Sequence, residues 1–339
     1  MGNTLEFTQQ DLLDSHAYDA PLIAGGVRCH GGFDATGAYV SPRTRTRVPA
    51  IRGWQEQHRA QFGTDLLAMP LETWPPHFPN VAQAKYLIGR GVTEPIVSTL
   101  TRIGTVEGFG SMIRYSAIPS LQDCFAEEIT GTAMDHLGRG LYEAHARDEA
   151  GHADEGGHKQ MWFAARDVAF EHPVTEDETQ VMLQRMGIAT PGAGPPRLLP
   201  DDVDPDLEIL IERMVRLLLI EISAFHTFAW AEEVLADTDL VAGEGEAARI
   251  VSYIRADETP HVEYLRTTLS EMRDRTFVGH TGARYAGTDL IGRLWDRALT
   301  QSLGERHAAA RQVAMDEVAR AVEARRDRDD LLEEFAALA

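Results

Sequence analysis

The chain has 339 residues, 43% hydrophobic and 25% charged, the proportions of an ordinary globular protein with length enough for a large core. Its net charge of −21 argues against nucleic acid and anionic membrane as partners, because both favour basic surfaces. Cys29 and Cys124, the only cysteines, cannot build a disulfide framework, and MGNTLEFTQQ lacks the basic and apolar regions of a signal peptide, so a cytoplasmic location is expected.

Residues 1–80 read as an irregular N-terminal arm of loops and short strands, typified by GGVRCHGGFDATGAYVSPRTRTRVP. From residue 81 the pattern is helical. Thr93-Glu-Pro95 reads as the start of a helix running to Ala117, Ser120-Leu-Gln-Asp123 as another start, and His136 to Gly140 as a turn. A long helix is predicted from Leu141 to Phe170. The Gly- and Pro-rich stretch from Ala189 reads as a crossover loop. Helices follow over 205–236 and 244–274, joined by a short turn. The apolar span from Val215 is interrupted by Arg216, Glu221 and His226, which makes it too polar to cross a membrane. The expected architecture is an all-α bundle over 81–285, built from two helical hairpins, with a C-terminal helical extension over 286–339 packed on it.

Glu258-Thr-Pro-His261 lies on the apolar stripe of Ile250, Val251, Ile254, Leu265 and Leu269. A carboxylate on such a stripe is costly unless it is paired or holds a cation. Glu221 sits in the middle of a second stripe, Leu207 to Phe228, and two antiparallel helices joined by a short turn bring it level with Glu258.

The stretch EAHARDEAGHADEGGHKQMW, from Glu143, has the same spacing in Glu149-Ala-Gly-His152. At about 100° per residue on one continuous helix, His145, Glu149 and His152 share a face. On the same assumption His158 points away, Glu155-Gly-Gly-His158 belongs to the surface, and Gly156 leaves room for a small molecule. A Glu and His three apart suit two metal ions, the Glu bridging and the His binding one. Mixed carboxylate and imidazole donors suit iron or manganese. One further carboxylate is needed: Glu128 is taken for that place, with Glu107, on the stripe of Ile96, Leu100 and Ile103, as its competitor and Glu127 third. His226 reads as a neighbour of the ligands, Tyr142 and Tyr253 as packing, and Cys29-His30 as part of a loop.

With these residues the chain resembles the ferritin-like diiron-carboxylate superfamily, which includes the ribonucleotide reductase small subunit, bacterial multicomponent monooxygenases and the p-aminobenzoate N-oxygenases. The family pattern, Glu, E-x-x-H, Glu, E-x-x-H, is matched over about residues 90–275 by Glu149/His152, Glu221 and Glu258/His261, with Glu128 completing it. His145 adds H-x-x-x-E-x-x-H, which the N-oxygenases carry on their last ligand helix and this chain on its first pair. Three histidines with three carboxylates on three helices also resemble the haem-oxygenase-like diiron oxidases. The resemblance implies a non-haem oxidoreductase with two Fe ions, or Mn, or a mixed pair, that activates O2 to hydroxylate, desaturate or N-oxygenate a small organic substrate. It further implies an electron donor protein or reductant, and allows a homodimer. A radical-generating subunit and an iron-storage protein are the alternatives.

Overall fold

The computed structural model describes residues 5–170 and 196–339, with residues 175, 177, 180 and 181 between them. The fold is predominantly helical. The helices in chain order are α1 (Gln9–Leu12), α2 (Arg47–Phe62), α3 (Val81–Gly89), α4 (Glu94–Gly110), α5 (Leu121–Cys124), α6 (Tyr142–Ala150) and α7 (His158–Phe170). After residue 195 come α8 (Pro205–Leu235), α9 (Glu246–Asp257), α10 (Thr259–Arg273), α11 (Gly287–Gln301), α12 (His307–Ala321) and α13 (Arg328–Ala337). Among the described residues no helix is long and apolar enough to cross a membrane.

The N-terminal arm is more ordered than its composition suggests. Strands β1 (Ala20–Ala24), β2 (Val27–Phe33) and β3 (Tyr39–Val40) form an antiparallel sheet. The β1–β2 turn is Gly25-Gly26, with φ of 54° and 79°, the left-handed pair that a tight hairpin requires. The arm also contains the 16-residue helix α2, which the sequence reading left irregular. Its buried face, Ala50, Ile51, Trp54 and His58, follows helical spacing, and Gly63 ends it at φ 67°. Arginines and glutamines around that face hide the stripe from a composition-based reading.

Three other expectations change. The helix expected from Ser120 lasts one turn, because Phe125 is extended (φ −129°, ψ 144°) and bridges Phe277. The helix expected over 141–170 is two helices, broken at Gly151, whose φ of 82° and ψ of 176° lie in a region essentially confined to glycine. The helix over 244–274 is interrupted only in its hydrogen-bond ladder: Pro260 has no N–H to donate, yet Glu258 keeps helical angles (φ −72°, ψ −23°) and α10 continues from α9. Of the crossover from Ala189, residues up to 195 lie outside the described part.

Two apolar cores stack along the molecule. One gathers Trp54, Leu141, Ala146, Met214, Ile222, Val262 and Leu265 with α11, and the other gathers Ile96, Leu100, Trp162, Phe228, Val251 and Ile254. Helix α8 passes from the first, ending at Ile222, to the second, starting at Ala224. The α9–α10 pair makes the same crossing in reverse between Ile254 and Val262. Glu221 and Glu258 therefore sit at the waist between two apolar masses. A third, smaller cluster fastens α12 and α13 onto α3 through Val318, Val322, Leu331, Phe335 and Leu87.

Candidate metal centre

The waist is filled by buried ionisable groups from six helices. Helix α4 gives Glu107; α6 gives His145, Asp148 and Glu149; α7 begins with His158; α8 gives Glu221. The α9–α10 junction gives Asp257, Glu258 and His261. His145, His158, Glu258 and His261 are 0% exposed, while Glu149, Glu221 and Glu107 retain 2%, 4% and 8%.

Two donor groups share Glu149 and His261. His145, Glu149, Glu221 and His261 form one, and Glu149, His158, Glu258 and His261 the other, with the atoms of each within 4.8 Å of one another. The individual oxygens divide them. Glu149 Oε1 faces His261 Nδ1 (3.3 Å) and His145 Nε2 (3.6 Å), and its Oε2 faces His158 Nδ1 (3.5 Å). Glu258 Oε2 faces His261 Nδ1 (2.9 Å), and its Oε1 faces His158 Nδ1 (3.0 Å). Each of these carboxylates thus offers one oxygen to each half. Glu221 Oε1, 3.6 Å from His145 Nε2, completes the first half, and Glu107 Oε2, 3.5 Å from His158 Nδ1, completes the second.

The donors fit cations better than they fit each other. His145 Nε2, His158 Nδ1, Glu149 Oε2 and Glu258 Oε1 are buried without a hydrogen-bond partner. His158 Nδ1 and Glu258 Oε1 are close enough to bond, but the angles are wrong, as they are when two lone pairs point at a shared third body. Ligand atoms each about 2.1 Å from one ion stand roughly 3 Å apart, close to the spacing seen here. Charge agrees: the four glutamates Glu107, Glu149, Glu221 and Glu258 balance two divalent cations.

Without a cation the cluster holds protons instead. Burial, then the neighbouring Glu149, pushes Glu107 well above the usual carboxylate range, and burial with Glu258 does the same to Glu221. Burial also opposes ionisation of Glu149 and Glu258, but His158 and His261 together outweigh it in both, and Glu258 falls to about 2. Burial resists charge on His158 and His261, yet the glutamates, Glu258 foremost, raise both well above an ordinary imidazole. His145 is held well below by burial and by His261, on which it stacks at 4.0 Å between ring centroids. A neutral imidazole is the form that binds metal.

Behind the donors, the aspartates that precede Glu149 and Glu258 each face a histidine. His261 Nε2 meets Asp148 Oδ2 at 2.9 Å and Nδ1 meets Glu258 Oε2 at 2.9 Å, so with a cation in place Nε2 would keep its proton and Nδ1 would be the nitrogen free to bind. Asp148, fully buried, stays ionised against burial because Arg43 Nε (2.6 Å) and Arg47 Nη2 (2.8 Å) compensate it. Asp257 Oδ2 lies 3.6 Å from His158 Nε2, a charge contact longer than a hydrogen bond, and accepts the Tyr39 hydroxyl at 2.8 Å. His145 Nδ1 is 3.3 Å from the Tyr264 hydroxyl.

Of the sequence-predicted residues, the structure brings together His145, Glu149, Glu221, Glu258 and His261. It does not bring Glu128 or His152. Glu128 is exposed, and its Oε1 accepts from the N–H groups of Ile129 and Thr130, because the helix that would carry it inward stops at Cys124. Glu127 binds the backbone N–H and hydroxyl of Thr276. Glu107, the competitor, lies at the cluster instead, its Oε2 3.5 Å from His158 Nδ1. His152 is exposed in the loop that follows Gly151. The histidine that arrives is His158, which the continuous-helix assumption turned outward. His226 belongs to neither donor group. Asp148, Asp257, His30, Arg43 and Arg47 were missed; the signal available was the repeated Asp-Glu pair, Asp148-Glu149 and Asp257-Glu258.

Comparison with family models, curated proteins and solved structures finds no match.

Proposed function

We propose that the chain is a non-haem dimetal oxidoreductase that binds two iron ions, or manganese in one or both places, and uses O2 to oxidise a small organic substrate. The observation that carries this reading is the division of Glu149 and Glu258, each with one oxygen toward His261 and the other toward His158. Placed so, the two carboxylates could each serve both ions; His145, His261 and Glu221 would hold one ion, and His158 and Glu107 the other. Two first-row ions with carboxylate and imidazole ligands supply redox chemistry toward O2 that no side chain here can supply.

The chain's own residues do the rest. Asp148 fixes His261 with Nδ1 inward. The two apolar cores on either side shield the cluster from water, which would keep the site dry. An external reductant or donor protein must return electrons. Helices antiparallel about a dimetal waist support a ferritin-like bundle. The donor set combines features of both variants: its three histidines match the haem-oxygenase-like set, and its four glutamates match the ferritin-like one.

The test is anaerobic titration of the metal-free protein with Fe(II). Saturation at two equivalents per chain, followed by O2 uptake and a change in the visible spectrum on mixing with air, is expected. Failure to bind more than one equivalent of Fe(II), Mn(II) or Co(II) overturns the reading.

A further inference from the structure

The two histidines flanking the bridges, His158 and His261, are steadied by residues of one short N-terminal segment. His30 is the fourth residue of β2, Tyr39 opens β3, Arg43 follows it, and Arg47 opens α2. His30 is 1% exposed, and its ring meets the His158 ring edge-on at 5.2 Å. His30 Nε2 lies 3.2 Å from Asp257 Oδ2, the same oxygen that accepts the Tyr39 hydroxyl and faces His158. Arg43, 6% exposed, bridges the two arms: its Nε donates to Asp148 Oδ1 at 2.6 Å, and its Nη2 donates to His30 Nδ1 at 3.0 Å. That bond places the His30 proton on Nε2, toward Asp257. Arg47 Nη2 reaches Asp148 alone, at 2.8 Å.

The segment also sets the chain position of His158. The backbone of β2 brackets Gly156, with His30 N–H donating to Gly156 O and Gly156 N–H to Arg28 O, both at 2.9 Å. Arg28 also pairs with Glu155 at 3.0 Å. The loop that replaces a helical connection between Glu149 and His158 is thus moored to the arm as well as to the helices it joins.

Resting on the dimetal reading above, we infer that the segment from His30 to Arg47 positions the histidine ligands of both ions, with Arg43 as the joint between them. His30 and Tyr39 act through Asp257 on His158, and so on the ion held with Glu107. Arg47 acts through Asp148 on His261, and so on the ion held with His145 and Glu221. Arg43 touches both routes. None of the four reaches a donor atom facing the ions, so all are positioning residues. An assembly that merely filled space would not assign one route to each half.

The experiment is titration of the metal-free full chain with Co(II), followed by calorimetry and by the visible bands of bound cobalt, with melting of the metal-free protein followed by circular dichroism. His30→Gln and Tyr39→Phe are expected to weaken one ion by roughly 10- to 100-fold while the other keeps its affinity and its bands. Arg47→Met is expected to weaken the opposite ion, and Arg43→Met both, with Arg43→Lys recovering part of the loss. Equal weakening of both ions by Tyr39→Phe, or no weakening by any variant, overturns the inference. Where Arg43→Met or Arg47→Met does not fold, Tyr39→Phe, which removes one hydroxyl, decides. A parent protein that takes up fewer than two Co(II) fails the dimetal reading itself; a parent that takes up two, with unaltered variants, fails only this inference.

Discussion

Asp148-Glu149-Ala-Gly-His152 and Asp257-Glu258-Thr-Pro-His261 have the same spacing, and the fold uses them differently. In the second, the chain stays helical through Glu258, and His261 arrives one turn later with Nδ1 beside Glu258 Oε2. In the first, Gly151 turns the chain out of the helix, His152 faces solvent, and the donor comes from His158 after a moored loop. Pro260 and Gly151 are both helix breakers by reputation. Proline lacks a donor but keeps φ helical, so direction survives; glycine admits a conformation closed to other residues, so direction is lost. A spacing rule for ligands is a rule about a continuous helix, and it transfers only where the backbone is continuous.

On the dimetal proposal, the comparison breaks most severely at the two glutamates that each place one oxygen toward His261 and the other toward His158. Glu149→Ala or Glu258→Ala removes an oxygen from both ions, and each is expected to abolish dinuclear binding while the helical fold survives. Circular dichroism and metal analysis check this; two full equivalents in either variant would remove the bridging assignment. His158→Ala and His261→Ala are expected to cost one ion each, and different ones: the ion with Glu107 in the first case, the ion with His145 and Glu221 in the second. Stoichiometry falling from two to one, with distinct cobalt spectra for the remaining ion, is the expected result. Thermal stabilisation by added metal offers a second readout, since a ligand at about 100 times its Kd raises stability by about 2.7 kcal/mol.

Smaller effects come from the breakers themselves. At Gly151 an added Cβ would stand 2.3 Å from the Glu155 carbonyl oxygen, and φ is 82°. Gly151→Ala is expected to destabilise the protein by about 1–3 kcal/mol and to weaken the His158 ion selectively. Pro260→Ala should do neither, because alanine accepts the same helical angles and adds the missing N–H. Equal effects of the two substitutions on metal affinity would mean that the loop does not position His158.

Much of the fold was legible because buried carboxylates on apolar stripes are costly enough to stand out. Glu221 and Glu258 declared themselves in this way, and helices α8, α9 and α10 fell close to where their stripes and turns placed them. The first half of the site was less legible for a physical reason. Whether the chain remains helical across Ala150-Gly-His152 depends on what captures the loop beyond, and the captor is β2, more than a hundred residues earlier. Glu107 lost to Glu128 in the reading because Leu121 and Phe125 imitate a helical stripe; Phe125 is drawn instead into pairing with Phe277. Arg43 and Arg47 carry no stripe at all. Their role follows only from the buried charge of Asp148, which becomes visible once the helices are packed.

The least effect is expected where the sequence reading placed ligands and the structure does not. His152 contributes its backbone to the loop, its N–H donating to Glu155 O at 3.0 Å and its C=O accepting from Glu155 N–H at 3.0 Å, while the imidazole is exposed. His152→Ala keeps both bonds, so stability should change by no more than about 0.5 kcal/mol and both ions should be retained. Glu128→Ala is a little different. Its Oε1 accepts from Ile129 N–H at 3.0 Å, Thr130 N–H at 2.9 Å and the Thr130 hydroxyl at 2.6 Å, and these bonds hold Glu128 below the usual carboxylate range. The substitution removes a local cap at a site where water can take its place, so only a small loss of stability is expected, again with two ions bound. Chemical denaturation and metal analysis of the two variants check both statements. Loss of an ion in His152→Ala would mean that the helix continues past Gly151 when metal is bound. The two Asp-Glu-x-x-His segments would then be equivalent after all.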